Sequence, residues 1–174
     1  RSLSKFVYCH GLTDKTHLLI ETLGGDQVVD LEVREGEVIN ISACIGRPVL
    51  KPALIPVNSS DDSFIDREVR VLDKSFRMSS LSWGNPHTVV MVKDTDSFPV
   101  EKYGPAIEHM TELFPKKTNV SFIEIVSKDR IKLREWERGT GETIGCGTGC
   151  CSALVVANLL GLCERAVTVE QPGG

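Results

Sequence analysis

Short extended runs cut apart by turn residues constrain this chain more than any other feature of it. Thr16 to Leu23, Gln27 to Val33 and Glu37 to Ala43 are separated by Gly24-Gly25 and Glu35-Gly36. Each run is short, strand-like and bounded by turn residues, so the three predict a meander of paired strands. Arg67 to Asp73, Phe76 to Trp83 and Thr88 to Val92 read the same way, as does Val167 to Glu170. Val120 to Val126 and Arg130 to Trp136 flank Ser127-Lys128-Asp129, which predicts a hairpin. Helical spacing is confined to three places. Leu3, Phe6 and Val7 lead to a stop at Gly11; Tyr103 to Leu113 is opened by Pro105 near its first turn and ended by Pro115; Gly149 to Leu160 closes at Gly161. Many strands, few helices and no sustained strand-helix-strand repeat predict an α+β fold. Leu154, Val155, Leu159 and Leu160 are expected in its core.

Pro48, Pro52 and Pro56, followed by Asn58 to Asp62, form a loop-rich stretch that places a domain boundary near residue 50. A formal charge of -4 and the lack of a long Lys/Arg block argue against nucleic acid as a partner. No apolar run reaches the roughly 18 residues of a membrane span, and the first residues lack the order of a signal peptide, so a soluble intracellular protein is expected. The six cysteines are unevenly spread, with Cys150 next to Cys151, and are expected to be reduced. The first residue is Arg1, and the helical stripe is already under way at Leu3 without a capping residue. Upstream sequence is therefore expected.

The run Trp136-Glu137-Arg138-Gly139 through Cys146-Gly147-Thr148-Gly149 sets a thiol between glycines just before an apolar helix. Unpaired N–H groups at a helix start can hold a carboxylate and lower the pKa of a cysteine placed there. Such a thiol suits acid/base work at the α-carbon of an amino acid, whose carbanion needs its carboxylate held by fixed donors. Cys146 alone would more often be a buried structural thiol, and its glycine-flanked helix-start position reverses that preference. A zinc cluster is disfavoured, because Cys146, Cys150 and Cys151 include no Cys-x-x-Cys pair and no nearby histidine. Cys150 and Cys151 are read as helix packing. Taken singly, Asn85 would read as a turn residue, Asn119 as a loop hydrogen-bonder, Glu137 and Arg138 as a solvated strand end, and His87 as a surface or core histidine, although its place beside the Gly-Asn-Pro turn favours exposure to a ligand over core packing.

Taken together they resemble the diaminopimelate epimerase family. Four blocks carry the resemblance: Gly84-Asn85-Pro86-His87; Gly104-Pro105 with Phe114-Pro115 and Thr118-Asn119-Val120; Trp136 to Gly139; and Cys146-Gly147-Thr148-Gly149 with Cys151. Phe6-Val7-Tyr8, Gly11-Leu12 and Glu21-Thr22-Leu23 extend a looser match over the first fifty residues. Cys150, where the family usually has alanine, is a small departure.

The resemblance implies two similar domains, each a mostly antiparallel curved sheet or barrel around a central helix. Residues 1–50 would be the remainder of an incomplete N-terminal domain and residues 51–174 the C-terminal one. It implies conversion of LL- to meso-diaminopimelate in lysine and cell-wall precursor synthesis, without pyridoxal phosphate or any other cofactor or metal. Two cysteines would act on opposite faces of the substrate. Cys146 matches one of them. Asn85, Asn119, Glu137, Arg138, Gly147 and Thr148 match substrate-binding positions, and His87 and Glu137 match positions that tune the thiols. The family's other cysteine sits in a Cys-Gly-Asn-Gly run just before the position of Arg1, and the family continues past Pro172-Gly173-Gly174. This chain alone is thus expected to be inactive. The resemblance further implies a homodimer when complete, with a cytoplasmic location, or the plastid stroma in a plant or alga. A proline-racemase-like isomerase, a phenazine-pathway isomerase and a non-catalytic fragment stand as alternatives.

Overall fold

In a computed structural model describing residues 1–22 and 25–174, the chain separates into two compact units, Arg1–Arg47 and Pro48–Gly174. Leu23 and Gly24 lie outside the described residues, so the end of the first strand-like run, the Glu21-Thr22-Leu23 match and the start of the Gly24-Gly25 break do too.

The first unit holds α1 (Ser2–Cys9) and an antiparallel meander of β1 (His17–Ile20), β2 (Gln27–Arg34) and β3 (Glu37–Cys44), in that spatial order. β2 and β3 are joined tightly, with Arg34 opposite Glu37 and positive φ at both Glu35 (53°) and Gly36 (84°). Two left-handed residues match the twist of the paired strands, which is why a glycine stands here. Val29, Leu31 and Val38 are buried, with Tyr8, Leu18, Ile20, Val33 and Ile41 packed around them. The stripe read in α1 faces outward: Leu3 and Phe6 are exposed, and Ser4 is the residue the helix buries.

The second unit runs β4 (Arg67–Val71), β5 (Lys74–Ser82), β6 (Pro86–Met91), α2 (Val100–Glu108), β7 (Asn119–Ser127), β8 (Arg130–Glu137), β9 (Gly141–Thr143), α3 (Gly147–Leu159) and β10 (Thr168–Glu170). They make one mixed sheet in the order β10-β8-β7-β6-β5-β4, with β9 also on β8. β6 pairs with β7 in parallel across α2, and β8 with β10 in parallel across α3; the other pairs are antiparallel. The α+β class expected from the sequence is what forms.

Because side chains alternate along a strand, this sheet buries both faces. Val90, Val120 and Phe122 join Val100, Tyr103 and Ile107 of α2 in one core. Their neighbours Val89 and Ile123, with Ile131 and Leu133, join Ala153, Val156 and Ala157 of α3 in the other. α3 meets the sheet through small residues, with Ser152, Ala153 and Ala157 buried. Leu154, Val155 and Leu160 pack at the margin, and Leu159 is exposed, contrary to the core placement read for it.

Two boundaries also differ from the sequence reading. α2 begins at Val100, so Pro105 lies within it and not in its first turn. The stripe of Val100, Tyr103 and Ile107 sets the helix, and burial of those three outweighs the N–H that Pro105 lacks. α2 also ends at Glu108, well short of Leu113 and Pro115. α3 starts two residues earlier than read, which makes Cys146 its N-cap.

Candidate active site

The α3-facing side of the sheet turns polar at one end. His87 of β6 and Asn119 of β7 are register partners, and so are Ser121 of β7 and Glu135 of β8. All four are buried and lie beneath the start of α3 in the register that elsewhere carries Val89, Ile123, Ile131 and Leu133. Glu135 was not singled out in the sequence. Its signal was there, as an acid in the apolar phase of Ile131-x-Leu133-x-Glu135.

Cys146 holds its cap position with extended backbone (φ -136°, ψ 111°). Its Sγ accepts the Gly149 N–H at 3.4 Å and lies 3.5 Å from Thr148 Oγ1, while its own N–H donates to Gln171 Oε1 at 2.6 Å. Gly149 is required for close approach: a Cβ there would sit 2.6 Å from Glu135 Oε2. The carboxylate of Glu135 is thereby pressed against the first turn of α3.

The helix start was expected to lower the thiol pKa, and the opposite holds. Burial pushes Cys146 up, the Glu135 charge pushes it further, and Glu137 adds to the effect. The hydrogen bonds to Thr148 and Gly149 pull it down without overcoming them. The motif alone could not show that two carboxylates face the sulfur.

His87 is fully buried and not exposed as its turn had suggested, because β6 carries it under α3; its Nε2 meets Thr148 Oγ1 at 2.9 Å and two amide donors, Asn85 Nδ2 at 3.1 Å and Asn119 Nδ2 at 3.4 Å. The Asn119 amide is fixed from both ends, since Nδ2 donates to Pro86 O at 3.0 Å and Oδ1 accepts the Arg138 N–H at 2.8 Å. Nε2 is therefore an acceptor and the ring proton sits on Nδ1, which faces Glu135 Oε1 at 3.3 Å. His87, Glu135 and Cys146 place ligand atoms within 4.8 Å of one another, a spacing a cation could use. Nδ1 faces the Glu135 carboxylate without making a hydrogen bond to it.

Asn85, His87, Asn119, Cys146, Gly147 and Thr148 are thus brought together. Glu137 is half-buried at the end of β8 and accepts a bond from Thr143 Oγ1 at 2.7 Å. Arg138 joins through its backbone N–H, while its guanidinium Nη1 donates to Lys116 O at 2.8 Å. Behind this segment Glu108 accepts from Trp136 Nε1 at 2.8 Å and from the Gly139 N–H at 3.0 Å, which ties the 136–139 corner to α2. Trp136 packs over Gly104, where a Cβ would lie 2.6 Å from the indole.

The fold is of the diaminopimelate-epimerase-like class. It is shared with a probable proline racemase from Agrobacterium radiobacter K84 (TM-score 0.68, 12% identity, covering 93% of this chain and 51% of that one). A phenazine biosynthesis protein of the PhzF family from Bacillus anthracis is also similar (TM-score 0.56, 22% identity, 88% and 54%). Within that class the sequence is specific. Residues 79–174 match the model of the diaminopimelate epimerase family, and this chain belongs to that family. It is 44% identical over 174 residues to the diaminopimelate epimerase of Acetivibrio thermocellus and 42% identical over 174 residues to that of Methanococcus maripaludis strain S2. Either alignment takes in 100% of this chain and 62% of the relative's length.

Proposed function

We propose that the protein carrying this chain interconverts LL- and meso-diaminopimelate by moving a proton at one α-carbon, with no cofactor, for lysine and cell-wall precursor synthesis. The observation that carries the reading is the Cys146 sulfur at the N-cap of α3, buried within the segment that matches the family and beside a helix start that can receive a carboxylate. As thiolate, Cys146 takes the α-proton: the Cα–H bond breaks, an S–H bond forms, and the electron pair is delocalised into the substrate carboxylate. A second thiol, outside these 174 residues, returns a proton to the opposite face. The backbone N–H groups of Gly147 and Thr148, with Asn85, Asn119, Glu137 and Arg138, grip the substrate's carboxylates and amines, and His87 and Glu137 tune the thiol.

On this reading residues 1–50 are part of an N-terminal epimerase domain and residues 51–174 belong to the C-terminal one. Family membership supports a cytoplasmic homodimer; among the described residues no helix is long and apolar enough to cross a membrane. The test is a substrate panel. The complete gene product is offered LL-diaminopimelate, L-proline and trans-4-hydroxy-L-proline, with inversion followed by chiral chromatography. Inversion of diaminopimelate alone is expected, and these 174 residues by themselves are expected to invert none of the three. Inversion of proline without diaminopimelate would overturn the substrate assignment.

A further inference from the structure

The polar cluster under α3 holds more than the thiol chemistry requires. Glu135 is fully buried, and among the described residues neither of its carboxylate oxygens has a hydrogen-bond partner; the same is true of His87 Nδ1, which faces it at 3.3 Å. A buried carboxylate without partners is costly, so a positive charge formed nearby would be strongly favoured. His87 is the group placed to carry it.

The rest of the path is continuous. His87 Nε2 lies 2.9 Å from Thr148 Oγ1, and Thr148 Oγ1 lies 3.5 Å from Cys146 Sγ. Asn119, anchored at both ends of its amide, keeps Nε2 an acceptor. Thr148 sits within the first turn of α3, so its hydroxyl is held between the ring and the sulfur by the same helix that Cys146 caps. The titratable groups facing this path are Glu135 and Glu137 from β8 and His87 from β6.

We propose that Thr148, His87 and Glu135 form a proton relay that draws the Cys146 proton inward and stores it on His87. The S–H bond of Cys146 breaks as its proton passes to Thr148 Oγ1, and the hydroxyl's own proton passes to Nε2. The products are a thiolate at Cys146 and an imidazolium whose Nδ1–H faces the Glu135 carboxylate. Return of the proton reverses both transfers, so every atom and charge is accounted for. The thiolate is stabilised by the Gly149 N–H, and the imidazolium cancels the Glu135 charge that would otherwise oppose it. Glu135 and the Thr148 hydroxyl are positioning groups for the thiol; the substrate contact assigned to Thr148 is through its backbone N–H. The relay rests on the reading of Cys146 as the acid/base, but its test needs no substrate.

Iodoacetamide alkylation of Cys146 in this chain, read at the Cys146 peptide by mass spectrometry, is measured across pH for the unaltered protein, Glu135→Gln and Thr148→Val. At about pH 7 both variants should react slower by a factor of about ten or more. On the alkaline plateau of each profile, where the thiolate forms without help, the three rates should converge. A rate ratio that stays constant with pH, or variant profiles equal to the unaltered one, would overturn the relay. An independent reading comes from the ring nitrogens of His87 in Cys146→Ala, by 15N NMR. A proton on Nδ1 and none on Nε2 supports the relay, and the reverse tautomer overturns it. Should the relay profiles appear while the complete gene product fails to exchange the diaminopimelate α-proton, it is the substrate reading that falls and not the relay.

Discussion

The two units solve the same problem with very different amounts of buried surface. In Arg1–Arg47 a three-stranded meander and one helix enclose Val29, Leu31 and Val38, and β3 shows most of its side chains to solvent. In Pro48–Gly174 a mixed sheet is covered on both faces, and β5, β6 and β7 are buried along most of their length. Every residue of the cluster around Cys146 comes from the second unit. A buried carboxylate, an imidazole and a thiol cost several kcal/mol to desolvate together, and the apolar cores on both faces of the second unit's sheet offset that cost while holding the geometry.

That contrast can be broken by experiment. The largest effect is expected from Phe122→Ala in the α2-side core, which should destabilise the second unit by about 3–5 kcal/mol. Both tryptophans, Trp83 and Trp136, lie in that unit, so urea denaturation followed by their fluorescence reads it selectively. Leu31→Ala should cost about 2 kcal/mol and should show as faster amide exchange in β1, β2 and β3 with the tryptophan transition unmoved. A shift of both signals together would mean that the units do not melt as separate bodies. Gly149→Ala forces a methyl group onto Glu135 and should cost about 1–3 kcal/mol by the same fluorescence readout, with altered Cys146 alkylation.

The smallest effect is electrostatic. Burial alone would raise the pKa of Glu108, but the bonds from Trp136 and Gly139, with His109 and Lys117 nearby, hold it below its ordinary value of 4.5. A carboxylate depressed on folding contributes stability that is present above about pH 4.5 and lost as pH falls through the folded value. Glu108→Gln should therefore cost about 1 kcal/mol at neutral pH and flatten the acid limb of a thermal-melt series. An unchanged acid limb would assign that limb to other carboxylates.

Much of this was legible because it is written in local chemistry. Glycines on both sides of Cys146 mark a helix start, Gly84-Asn85-Pro86 marks the turn that delivers His87, and Glu35-Gly36 marks a tight hairpin. What escaped depends on distant partners. Glu135 acquires meaning only when β8 pairs with β7 and its inner face meets α3. The direction of the Cys146 pKa follows from that carboxylate, which no reading of the cysteine motif contains. Pro105 looked like a helix start because it suits a first turn, whereas Val100, Tyr103 and Ile107 had already fixed the helix from the core side. β9 has only three residues between a glycine-rich turn and the cysteine loop, too few for a periodic signal.

The central claim is that the Cys146 sulfur moves the α-proton. The complete gene product and its Cys146→Ala variant are incubated with diaminopimelate in heavy water, and loss of the α-proton signal is followed by NMR. The account predicts that exchange of the proton on the Cys146 face disappears in the variant while diaminopimelate still binds. Exchange at the unaltered rate in Cys146→Ala would contradict it.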